Sequence, residues 1–67
     1  MIPIVGDKVR FIEDNKEYVG IVTQYHKNYE CSDGVTIWVA SEKMEFCIDY
    51  DCCVVISKGV NQHKVGE

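Results

Sequence analysis

Apolar and polar positions alternate in short bursts along this chain. In residues 7–12, Val9 and Phe11 alternate with Lys8 and Arg10, a period of two that gives a strand one buried face. Residues 13–16 are all polar and contain Asp14-Asn15, a pair that favours a turn. Residues 17–25 are rich in β-branched and aromatic side chains and predict a second strand, with Gly20 marking a bulge or a sharp bend. A polar stretch then ends in the turn signal Asp33-Gly34. Residues 35–39 alternate again, with Val35, Ile37 and Val39 on one face and Thr36 and Trp38 on the other. Residues 40–43 are a short connector, where Ser41 has room to cap a single helical turn. Met44, Phe46, Ile48 and Tyr50 then alternate with Glu45, Cys47 and Asp49. Asp51 breaks the run, and residues 52–57 form a last apolar strand.

Five short strands with no long helix between them predict a small barrel or two orthogonal sheets. With so few residues, strong bending is what lets every strand cover the same core. The pattern therefore predicts an all-β, five-stranded, SH3-like barrel over residues 1–57. Its core combines Val9 and Phe11, Val35, Ile37 and Val39, and Met44, Phe46 and Ile48. Residues 58–67 hold two glycines and mostly polar residues, and are expected to form a loose, polar C-terminal tail.

Length sharpens this picture. A chain of 67 residues buries only roughly 60% of the surface its unfolded form exposes. That excludes two domains, a large cofactor cleft and a doubly wound sheet. No apolar run approaches the roughly 18 residues of a membrane helix, so no membrane partner is expected. Residues 1–5 are apolar but carry no basic leader and no small-residue cleavage site, which predicts a cytoplasmic protein. In that compartment Cys31, Cys47, Cys52 and Cys53 are expected as reduced thiols. Cys52 and Cys53 are adjacent and should face opposite sides of a strand.

Catalytic signatures are missing. The chain has no Gly-x-Ser-x-Gly, no phosphate loop and no His-Glu-x-x-His. His26 and Cys31 share one loop, but nothing there marks an orienting group or an oxyanion donor, and His63 lies in the tail. No enzyme activity is expected. Cys47 and Cys52, with Cys31 and His26, lack the close cysteine spacing of a zinc knuckle, so neither a metal nor a cofactor is expected. Tyr25, Tyr29 and Trp38 offer aromatic surfaces for bases, yet only seven basic residues face eleven acids, too few for a basic groove.

The segment Val5-Gly6-Asp7-Lys8-Val9-Arg10-Phe11-Ile12, followed by Gly20-Ile21-Val22, resembles the start of many SH3-like and KOW-like small proteins of bacteria and bacteriophages. In those proteins a Gly-Asp-x-Val strand precedes a Gly-x-Val strand. The likeness covers residues 5–25 and implies a small barrel. A KOW-like module implies contact with RNA or with the transcription or translation machinery. Phage proteins of this build imply binding and blocking of a host protein. The acidic charge departs from a nucleic-acid-binding KOW module.

That charge is unevenly spread. The net charge is −4. Residues 30–53 hold Glu30, Asp33, Glu42, Glu45, Asp49 and Asp51 against Lys43 alone, while the rest of the chain is close to neutral. An acidic face suits a basic partner. The function expected is a non-enzymatic protein-interaction module, in concrete form a phage-type inhibitor or modulator of a host protein. It would dock a basic host protein through these six acids with Trp38 as anchor. The alternative is a KOW-like module associated with RNA or with the transcription or translation machinery. A homodimer is also open, because a small sheet exposes strand edges.

Overall fold

A computed structural model describes residues 2–28 and 32–59. It is all-β, with β1 (Lys8–Glu13), β2 (Lys16–His26), β3 (Gly34–Val39), β4 (Met44–Asp49) and β5 (Cys53–Ser57). A single 3-10 turn, η1 (Tyr50–Cys52), joins β4 to β5 where Asp51 was expected to break the strand. The strands form one antiparallel sheet in the order β4-β3-β2-β1-β5. The first four strands form a meander, and the fifth returns to the far side of β1. The ladder does not close, and β4 and β5 remain its two edges.

Local chemistry sets the turns and the bend. Asp14 and Asn15 both take positive φ, 52° and 63°. Two such residues make the tight turn whose twist matches a β-hairpin, and Glu13 pairs with Lys16 across it. Gly20 lies on the inner face of β2, and a Cβ there would stand 2.6 Å from Ile37 Cγ2 and closer still to the Trp38 carbonyl oxygen. Only glycine lets β3 approach β2 this closely. Just beyond, the β2–β3 register shifts between Val22 and Gln24, which increases twist at the same corner.

The sheet curls so far that its two sides meet. In a flat sheet β1 and β4 would stand roughly 14 Å apart, given neighbour spacings near 4.8 Å. Yet Phe11 of β1 and Phe46 of β4 have ring centroids only 5.2 Å apart, and Tyr18 of β2 lies 4.7 Å from Phe46. The inner face holds Val9, Phe11, Val22, Val35, Ile37, Val39 and Cys53, with Tyr18, Tyr25, Phe46, Ile48, Tyr50 and Val55 packed around them. The expected core is present with one correction: Met44 is exposed. It opens β4 opposite Val39, at the end of an edge strand where none of the described residues covers it.

Asp7 closes the structure at the other end. It is fully buried. Its carboxylate accepts hydrogen bonds from Ile4 N (2.9 Å), Lys58 Nζ (2.8 Å) and Gly59 N (3.0 Å). Its backbone carbonyl accepts from Val22 N, while Gly6 N donates to the Val22 carbonyl. Gly6 has φ 99°, a conformation that suits glycine. Gly59 packs so close that a Cβ on it would lie 2.8 Å from the Gly6 carbonyl carbon. Lys58 and Gly59, expected to open the loose tail, are instead fastened to the first turn. Residues 60–67, the remainder of that tail, lie outside the described residues.

Candidate partner-docking surface

Strand alternation sends Trp38 outward from β3, away from Ile37 and Val39. It is 39% exposed, a large aromatic surface for a chain with a single tryptophan. The register sets Ile21 of β2 on one side of it and Glu45 of β4 on the other. Lys8 of β1 stands beyond Ile21, so one row across four strands reads Lys8, Ile21, Trp38, Glu45. Val19 and Ile21 are both exposed on this outer side. Their outward placement follows from the same alternation that buries Val22 and was open to recognition in the sequence of β2.

The six acids separate into distinct environments. Glu45 lies beside Trp38, and alternation along β4 puts Asp49 on the same side of the sheet. Glu42 is in the β3–β4 turn, 3.5 Å from Lys16 Nζ, an exposed ion pair of small energetic weight. Asp51 is in η1, with Asp49 and Cys52 close by. Asp33 faces inward chemically: its carboxylate accepts from Tyr25 Oη (2.8 Å) and from Asn28 N (3.0 Å), pinning the turn after β2. Those two bonds hold the Asp33 carboxyl below its ordinary range, and the same contact pushes the Tyr25 hydroxyl up. Glu30 lies outside the described residues. The arrangement thus gathers Trp38, Glu45 and Asp49 on one side, sets Glu42 and Asp51 at its two ends, and assigns Asp33 to the fold.

Between Trp38 and Asp49 runs a polar chain that sequence inspection had not connected. His26 Nε2 and Thr36 Oγ1 share a hydrogen bond at 2.7 Å, and Thr36 Oγ1 stands 3.6 Å from Cys47 Sγ. Thr36 is consequently buried although it points to the outer side. This cross-strand chain ties β2, β3 and β4 together within the candidate surface.

Cys52 is exposed and Cys53 buried, but not as two faces of one strand: Cys52 ends η1 and Cys53 opens β5. Burial pushes the Cys53 thiol up, and partial burial with Asp51 and Asp49 nearby does the same at Cys52. Both shifts disfavour the thiolate form of the free thiols. Among the described residues, Asp49, Asp51 and Cys52 bring ligand atoms within 4.8 Å of one another. His26 and Cys47 both stand against Thr36, and Cys31, the remaining member of the ligand set weighed from sequence, lies outside the described residues. A groove of about 340 Å³ lined by Arg10, Phe11, Ile12, Cys52 and Val54 opens on the β1–β5 side, away from Trp38. No helix is long and apolar enough to cross a membrane among the described residues. Compared with family models, curated proteins and solved structures, the chain matches none.

Proposed function

We propose that this protein is a non-enzymatic interaction module that docks a basic protein partner on the outer side of β2, β3 and β4. The observation that carries the proposal is Trp38, turned outward between Ile21 and Glu45 with no part in the core. Aromatic side chains bring large contact area at low conformational cost and dominate interface energetics. Glu42 is engaged with Lys16 at 3.5 Å, while Glu45 and Asp49 add negative charge beside the anchor and Asp51 extends it beyond β4. Such charge speeds encounter with a basic surface and fixes orientation. The specific form is an inhibitor or modulator of a host protein, of the kind phage genomes encode.

The KOW-like alternative is supported by Lys8 and Arg10 on the outer side of β1, but Arg10 is engaged with Glu17 at 3.6 Å. Affinity capture separates the two. Wild-type protein, the triple reversal of Glu42, Glu45 and Asp49 to Lys, and Trp38→Ala are immobilised side by side. A basic protein retained by wild type and lost from both variants supports the proposal. Equal retention on all three, or tight binding of naked RNA by wild type, refutes it. Trp38→Ala is expected to cost roughly 2 kcal/mol of binding or more.

A further inference from the structure

The two edges of the sheet differ in chemistry. The β4 edge, Met44–Asp49, carries Glu45 and Asp49 and is followed by Asp51. Charges of this kind are how native proteins keep an edge from pairing with another chain. The β5 edge, Cys53–Ser57, reads Cys-Val-Val-Ile-Ser, with no charge, no proline and no glycine. Its ladder partner is β1, and among the described residues no strand lies on its other side. Val54 and Ile56 are 53% and 46% exposed along it, and Ile12 of the adjacent β1 is 68% exposed.

We infer that β5 is the seam of a homodimer, pairing antiparallel with β5 of a second copy. The choice of occupant follows from charge and symmetry. Self-pairing at β5 brings no like charges together, whereas self-pairing at β4 would gather Glu45 and Asp49 of both copies along one seam. Pairing of β5 with β4 of another copy would be head-to-tail and would run on into an open fibre. A two-fold seam at β5 closes after one step and leaves only the defended β4 edges outermost. The register that uses all of β5 has its two-fold axis at Val55. It sets Val54 opposite Ile56 of the partner copy, and so covers exposed apolar side chains of a chain too short to bury much surface alone. The seam is made by Val54, Val55 and Ile56, none of them a residue of the docking surface, so the proposal is tested independently of partner docking.

The test is sedimentation of the full chain across a wide concentration range, with the fold followed by circular dichroism. Wild type is expected to be dimeric. Val54→Lys with Ile56→Lys places lysine opposite lysine twice and should weaken the dimer by at least about tenfold. Val54→Lys with Ile56→Glu places lysine opposite glutamate and should restore it. Should the double-lysine variant fail to fold, amide exchange on wild type still decides: β5 amides should slow as the dimer fills. Three results would overturn the inference: a wild-type monomer at high concentration, a dimer indifferent to the double-lysine change, or concentration-independent protection of β5.

Discussion

Replacing Asp7 with asparagine probes the clasp between the first turn and the end of β5. All three neighbours of the carboxylate are donors: Ile4 N and Lys58 Nζ reach Oδ2, and Gly59 N reaches Oδ1. Asparagine has nearly the same shape but only one acceptor oxygen. Whichever way the amide turns, its NH2 group faces a donor. The milder orientation sacrifices the Gly59 bond, and leaving one buried donor unpaired costs about 1–3 kcal/mol. Loss of charge toward Lys58 adds less, because the Lys58 side chain is about half exposed and its ion pair is screened. The total is about 2–4 kcal/mol, a large share of the roughly 3–10 kcal/mol a chain of this length holds. The assay is urea and thermal unfolding followed by circular dichroism at neutral pH, where a loss of 2 kcal/mol lowers Tm by roughly 8–16 °C. The pH dependence has a defined sign. Burial alone would push the Asp7 carboxyl up, but the Lys58, Ile4 and Gly59 donors outweigh it and hold the group below its ordinary 3.8. The ionised form therefore favours the folded state. The contribution is present above that value and is lost as pH falls through it toward the lower folded value. The gap between wild type and Asp7→Asn should accordingly narrow in acid. A variant within about 0.5 kcal/mol of wild type at neutral pH would refute the clasp.

The remaining expectations concern the bend, the core and the thiols. Gly20→Ala puts a methyl against the Trp38 carbonyl and Ile37, where backbone has little freedom to yield, and should cost about 1–3 kcal/mol in the same unfolding assay. Ile37→Ala empties a fully buried site and should cost about 2–5 kcal/mol, enough to leave much of the chain unfolded in mild denaturant. Site-resolved thiol labelling should modify exposed Cys52 in the native protein, slowly near neutral pH because its thiolate is disfavoured, and buried Cys53 only on unfolding. Equal native labelling of the two would contradict that difference in burial.

Much of the local structure was legible because strands announce themselves by period two. Each of the five expected strands has its observed counterpart, and Asp14-Asn15 and Gly20 mark the turn and the corner they were expected to mark. What alternation cannot carry is which strand lies beside which. The return of β5 to β1, the contact of Phe11 with Phe46 and the reach of Asp7 to Lys58 all join residues distant in the chain. Met44 illustrates a related limit: it keeps the phase of the inner face but sits where none of the described residues covers it. At the candidate surface, the outward turn of Trp38 followed from alternation alone. The division of labour among the acids did not. Counting charge cannot distinguish Asp33, used by Tyr25 and Asn28, from Glu45, left beside Trp38.

Because Trp38 is the single tryptophan, its fluorescence reports directly on the proposed surface. The decisive measurement is a titration of the native protein with a lysine- and arginine-rich peptide, set beside one with unstructured RNA. The account predicts a saturable change in Trp38 emission with the peptide and none with RNA. The response should weaken as salt shortens the screening length toward about 10 Å at 0.1 M, and it should vanish when Glu45 and Asp49 are both changed to lysine. A saturable response to RNA, or a peptide response untouched by the Glu45 and Asp49 reversals, would contradict the docking role assigned to this face.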